Sequence, residues 1–216
     1  MDPSSTLFLI CDIQERFRAA IANFELVVAT TNKLLRVAKI LGSEVLVTTQ
    51  KAAALGPIDP SVDLESLGSL HIGTYDKTLF SMLTPPVLEQ LNKRSNIKSI
   101  VLLGIESHIC VLQTALALRA LPANYTTYVI ADGVSSCNPA EIPLALYVPF
   151  TLADAASYII QSATMRAAGI VVTSSESLSY QLVRDAAIPE FKSFAQVIKE
   201  EKATTSKVVE TLLGRL

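Results

Sequence analysis

The chain has 216 residues, 50% apolar and 18% charged, with a formal net charge of −2 and a pI of about 5.7. That composition excludes a disordered chain and offers no global attraction for an anionic polymer, so nucleic acid is not an expected partner. No apolar run approaches the ~20 residues a spanning helix requires, so no membrane partner is expected, and the mean hydropathy of +0.41 points to apolar surface buried in a homo-oligomer.

Residues 1–5 lack the basic start and apolar stretch of a secretory signal, and residues 6–12 already read as a buried parallel strand whose carboxyl end is Asp12. Helical spacing follows Phe24 and ends at Gly42. Residues 45–49 read as the next strand, residues 50–69 as a long surface loop, and residues 69–76 as a short strand leading into Lys77. Pro85-Pro86 opens a helix to about Lys93, since proline is tolerated in a first turn. Residues 98–104 form the cleanest strand, and a helix follows over 107–121, with Ser107 as its N-cap and Pro122 as its stop.

Residues 125–131 read as a further strand that Asp132-Gly133 turns, and the apolar piece 144–148 stays unassigned between turn-like stretches. Residues 154–168 read as helix, 169–173 as strand, 175–187 as a helix with a weak Ser-x-x-Ser cap, and 191–200 as an amphipathic helix. A polar tail with an apolar end at 208–213, a candidate docking helix, closes the chain. Strands alternating with helices imply βαβ units packed as a parallel sheet covered on both faces, in one domain over 1–216 with a core at about 6–200.

In such folds ligands sit beyond the carboxyl ends of the strands. Asp12, Lys77 and Cys110 fall on that edge. A cysteine in a first helical turn faces unpaired N–H groups and the positive end of the helix dipole, which favour thiolate, and a nearby carboxylate can carry its proton. Taken singly, each has a plainer reading: a lone helical cysteine is more often a small buried apolar residue, an acid can simply end a strand, and a lysine can be solvated. Cys11 reads as a core-strand cysteine and Cys137 as an exposed bystander. Three scattered cysteines fit a reducing compartment rather than a disulfide framework.

His71 and His108 are the only histidines, with no metal-ligand spacing, so no metal and no cofactor is expected. His108 could orient a substrate near Cys110 or form a surface hydrogen bond. The nucleotide-binding glycine signatures are absent.

Together the segments resemble the isochorismatase-like cysteine hydrolases, and in particular the eukaryotic isochorismatase domain-containing proteins. The resemblance is carried by Leu7-Phe8-Leu9-Ile10-Cys11-Asp12-Ile13-Gln14-Glu15-Arg16-Phe17, Thr48-Thr49-Gln50 with Leu55-Gly56-Pro57, Lys77-Thr78-Leu79-Phe80-Ser81-Met82, Gly104-Ile105-Glu106-Ser107-His108-Ile109-Cys110, Met165-Arg166 and Thr173-Ser174-Ser175-Glu176. It implies a three-layer Rossmann-like α/β fold with a six-stranded parallel sheet and a catalytic trio of Asp12, Lys77 and Cys110. It also implies a cis peptide between Ile105 and Glu106, an oxyanion hole from the N–H groups of Glu106 and Cys110, and a substrate pocket including Gln14, Phe17, Gln50 and His108.

The implied reaction is attack of Cys110 on a small amide-like or other C–N substrate, followed by hydrolysis of a thioester. Nicotinamidase activity is not expected, because the stretch 50–76 offers only His71 toward that group's metal site. Residues 139–153 look like an insertion relative to close relatives. A ribonuclease role and an idle oligomeric scaffold are the alternatives, and the compartment implied is the cytoplasm, with the mitochondrion as second choice.

Overall fold

Six strands form one all-parallel sheet: β1 (Thr6–Cys11), β2 (Glu44–Gln50), β3 (His71–Lys77), β4 (Ser99–Ile105), β5 (Thr126–Ser135) and β6 (Val171–Thr173). The computed structural model describes residues 1–146 and 164–213. Helices α1 (Phe24–Leu41), α2 (Ala52–Leu55), α3 (Pro85–Asn92), α4 (Leu112–Ala120), α5 (Glu141–Leu146), α6 (Thr164–Ala167), α7 (Ser175–Val183), α8 (Phe191–Glu200) and α9 (Lys202–Val208) connect and cover it. Every residue of β1 and β4 is buried, as a sheet covered on both faces requires.

Alternation sorts each strand between two cores. Leu7, Leu9 and Cys11 face the side packed by α3 and α4, whereas Phe8 and Ile10 face the side packed by α1 and α7. A third cluster, around Val37, Val183, Phe194 and Val197, fixes α8 against α1 and α7.

The strand order is β3-β2-β1-β4-β5-β6. The winding reverses between β1 and β4, which opens a crevice at their carboxyl ends, the place where open α/β sheets bind ligands. Cys11 ends β1 there, opposite Thr48 on one side and Gly104 on the other. Gly104 has φ +121°, and a β-carbon on it would lie 2.2 Å from the Cys11 carbonyl oxygen. Only glycine fits this approach, because the obstacle is backbone in the middle of the sheet.

Several elements differ from the sequence expectation. β5 does not turn at Asp132-Gly133. It bulges there, pairing Leu102 with Val129 and then Gly104 with Val134, and continues to Ser135. The Asp132 side chain supports the bulge by accepting from the Ser175 N–H at 2.6 Å and the Ser175 hydroxyl at 2.5 Å. The 50–69 stretch holds α2 and a 3-10 turn at Glu65–Leu70.

Ser107 is not an N-cap. Residues Ser107–Val111 form a π-helical turn before α4, Glu106 precedes it, and the Ser107 side chain bonds Ser136 instead. α7 stops at Val183 because Arg184 turns to φ 65°, and its cap is Ser174, whose hydroxyl accepts from Ser177 N. The polar tail is helical and packed: α9 and the turn Val209–Leu213 bury Val208 and Leu212, and Lys33 of α1 donates to Thr205 at 3.0 Å. The expected helix over 154–168 lies outside the described residues except for α6 and Ala168. Of the apparent insertion, α5 is described and packs against the π-helical turn, while the part from 147 on lies outside the described residues.

Candidate functional site

The crevice between β1 and β4 gathers the polar groups on which the site is built, Asp12, Lys77, Cys110 and Cys11. Asp12 follows β1 with φ 51°, a left-handed conformation that turns the chain out of the strand. Its side chain is 1% exposed, and Oδ1 accepts from the Thr48 hydroxyl of β2 at 2.7 Å. Oδ2 accepts from Lys77 Nζ at 2.7 Å and faces Cys11 Sγ at 3.5 Å.

Lys77 ends β3, two strands from β1, and only its four-carbon stem lets it reach the crevice. Its ammonium has five acceptors around three N–H groups: Asp12 Oδ2, Gln50 Oε1 at 2.6 Å, the carbonyls of Leu79 at 3.2 Å and Phe80 at 3.1 Å, and Cys110 Sγ at 3.6 Å. Burial alone would push its pKa down. The negative charge of the neighbouring acids Cys11 and Asp12, with the Asp12 hydrogen bond, outweighs that and holds it above the ordinary 10.5. At neutral pH Asp12 is the partner that matters, since Cys11 is then a thiol.

Cys110 sits in the π-helical turn and is buried. The Thr114 hydroxyl donates to the Cys110 carbonyl at 2.6 Å and accepts from Met82 N–H at 2.9 Å, tying the turn to the segment that follows Lys77. On the other side Ser136 holds Ser107 N–H at 3.1 Å, the Ser107 hydroxyl at 2.6 Å and His108 Nδ1 at 2.9 Å. The Ile105–Glu106 peptide is cis, and the Glu106 carboxylate accepts from Cys137 N–H at 2.7 Å.

The sequence-expected pocket residues separate into roles. Gln50 holds Lys77 through Oε1 and the Thr78 carbonyl through Nε2, at 2.9 Å. Gln14 commits its amide to backbone, donating to the Gln50 and Gly56 carbonyls and accepting from Gln50 N–H, and so fixes β2's exit. Phe17 packs on the α1-side core, and His108 is half-buried on Ser136. Sequence reasoning did not single out Thr48, Thr114 or Ser136, and placed Cys11 in the core without a role. The signal for Cys11 was parity: it shares a strand face with Leu7 and Leu9, the face on which α4 packs.

Residues 6–147 match the sequence profile of the isochorismatase domain. The chain belongs to the isochorismatase family. Isochorismatase domain-containing protein 2A of Mus musculus is 37% identical over 92% of this chain and 84% of its own length. The secreted isochorismatase effector Isc1 of Phytophthora sojae is 36% identical over 92% of this chain and 86% of its own. Among solved structures, the MAR1 ribonuclease of Caenorhabditis elegans superposes with a TM-score of 0.73 at 29% identity, covering 92% of this chain and 91% of that one.

Within this candidate site, the Cys11 and Cys110 sulfurs and an Asp12 oxygen lie within 4.8 Å of one another, a grouping of metal-ligand type. The Lys77 ammonium already stands against Asp12 and Cys110, and its fixed charge opposes a second cation there. His71 cannot join. It begins β3 while Lys77 ends it, about 20 Å away at roughly 3.3 Å per residue, and its Nε2 bonds Thr74.

Burial, then the hydrogen bond with Cys110 and the charge of Asp12, push the Cys11 thiol well above its ordinary 9.0. The unfolded chain releases that proton first, so the stability it confers is full below pH 9.0 and declines above it, by up to about 1.4 kcal/mol per pH unit. Lys77 adds a loss of the same sign above pH 10.5. Urea titrations between pH 8 and pH 10.5 should show this decline, and Cys11→Ala should flatten it; equal slopes in the two proteins would contradict the assignment.

Proposed function

We propose that the chain is a cysteine-dependent hydrolase of a small amide-like or other C–N substrate, with Cys110 as nucleophile, Asp12 as proton carrier and Lys77 as the fixed charge between them. The observation that carries this reading is one buried ammonium bonded to both partners, 2.7 Å from Asp12 Oδ2 and 3.6 Å from Cys110 Sγ, at the switch point of the sheet. Asp12 takes the thiol proton and returns it to the departing amine, and the thiolate attacks the carbonyl carbon. The backbone N–H groups of Glu106 and Cys110 receive the developing oxyanion, a contribution of about 3 kcal/mol per donor. Water, with Asp12 as base, then cleaves the thioester.

Leu79 and Phe80, whose carbonyls hold Lys77, expose 57% and 52% of their surface. With Val171, also exposed, and the high mean hydropathy, they support a homo-oligomer, which sedimentation velocity reads directly. No helix among the described residues is long and apolar enough to cross a membrane. The three unpaired cysteines support a reducing compartment, the cytoplasm.

The test is a screen over amides, carbamates and N-carbamoyl compounds with acid-quenched mass spectrometry. A turned-over compound should leave an acyl adduct that maps to Cys110, and turnover without Cys110 labelling at any quench time would remove the covalent mechanism. RNA processing is the second reading, favoured by the name of the Caenorhabditis elegans relative. Cleavage of single-stranded RNA by the wild type and by Cys110→Ala alike would place that activity outside this trio.

A further inference from the structure

Cys11 is the thiol at this site that the proposed chemistry leaves unused. It closes β1, and the two neighbouring strands fix its position rigidly. Its sulfur lies within 4.8 Å of both the Cys110 sulfur and an Asp12 oxygen, and its S–H points at Asp12 Oδ2, 3.5 Å away. The two thiols differ in access: Cys11 is fully buried, whereas Cys110 keeps 7% of its surface open to the crevice. A small oxidant entering the site therefore meets Cys110 first.

We propose that Cys110 and Cys11 form a two-cysteine oxidation site, in which a small hydroperoxide oxidises Cys110 and Cys11 then closes a disulfide onto it. The inference rests on Cys110 being the reactive thiol of the proposed hydrolase. In the first step the Cys110 sulfur attacks the terminal peroxide oxygen. An S–O bond forms, the O–O bond breaks, and the peroxide leaves as water or an alcohol after taking a proton, leaving a sulfenic acid. In the second, Asp12 Oδ2 accepts the Cys11 proton and the Cys11 sulfur attacks the sulfenic sulfur. An S–S bond forms, the S–O bond breaks, and the departing hydroxide takes that proton and leaves as water. Two thiols and one hydroperoxide become one disulfide, one alcohol or water, and one further water.

The movement this needs falls to Cys110. Its π-helical turn can tighten, whereas Cys11 is locked in the central strand, and the sulfurs must close from under 4.8 Å to a bond of about 2 Å. The device stops hydrolysis while the disulfide stands and keeps Cys110 from the sulfinic and sulfonic states that thiols do not reverse.

The reduced 216-residue protein is titrated with hydrogen peroxide under native conditions, denatured in the presence of a maleimide and mapped by peptide mass spectrometry. The expected result is a Cys11–Cys110 disulfide that dithiothreitol reverses, with Cys137 still alkylatable. Cys11→Ala, confirmed as folded by its melting transition, should lose the dithiothreitol-recoverable fraction and accumulate sulfinic acid at Cys110, while Cys137→Ala should behave as wild type. The wild-type map needs no variant, so a poorly folding Cys11→Ala leaves the test intact. Sulfinic acid at Cys110 with Cys11 still alkylatable would overturn this inference and leave the hydrolase reading standing. A Cys110 that peroxide does not oxidise at all would likewise overturn this inference, and the acyl-adduct test decides the hydrolase reading separately.

Discussion

Replacing Cys110 with alanine is expected to lower turnover of any substrate the wild type hydrolyses by at least about four orders of magnitude, equivalent to about 5.5 kcal/mol of transition-state stabilisation. Neither Asp12 nor Lys77 can form the acyl intermediate in its place, because an ammonium bonded to a carboxylate is not a free nucleophile. The fold should survive. The hydrogen bond from Thr114 is made to the Cys110 backbone carbonyl, which alanine keeps, and loss of one buried sulfur costs only about 1 kcal/mol. Cys110→Ser should fail almost as completely, since a hydroxyl at that position ionises far less readily than a thiol. Steady-state rates beside urea midpoints check both statements, and a Cys110→Ala protein with wild-type kcat/KM would end the nucleophile assignment.

The second large effect is on stability. Lys77→Met should cost about 3–5 kcal/mol, because it leaves the 1%-exposed Asp12 carboxylate in the core with its cation gone and, among the described residues, Thr48 and Cys11 as side-chain donors. Asp12→Asn removes the charge facing Lys77 but leaves Gln50 and two carbonyls as acceptors, so its cost should be smaller. In the double variant neither charge remains, and the total should fall short of the sum by about 1–3 kcal/mol. Denaturant titrations of the four proteins close this cycle. Additivity within about 0.5 kcal/mol would mean that the two groups do not depend on each other. All three variants should lose turnover along with Cys110→Ala, which separates a catalytic trio from a merely structural ion pair.

The central strands β1, β4 and β5 were legible as apolar runs long enough to cross a sheet, and Asp12, Lys77 and Cys110 could be set on one edge because each lies at or shortly after the end of a strand. Local signals misled where a side chain serves a distant partner. Asp132-Gly133 has turn chemistry, yet Asp132 braces a bulge by binding Ser175, 43 residues later. Ser107 has cap chemistry, yet it binds Ser136, 29 residues on. The tail past residue 200 buries Val208 and Leu212, and it meets α1 through Thr205, which accepts from Lys33. The resemblance placed Gln14 with the substrate pocket, and the structure adds that its amide bonds backbone on both sides of β2's exit.

By itself the sequence determined the alternation of buried strands and amphipathic helices, and with it the parallel sheet and the edge on which Asp12, Lys77 and Cys110 stand. Hydrophobic period and chain punctuation are local quantities, and these features are their direct consequence. Tertiary structure alone decided the strand order, which leaves Lys77 two strands away yet brings its ammonium between Asp12 and Cys110, and decided that Cys11 faces the same crevice. A strand buried on both faces carries no polar alternation to tell one side from the other, so the direction of the Cys11 thiol is fixed only when α4 packs against one face and α1 against the other.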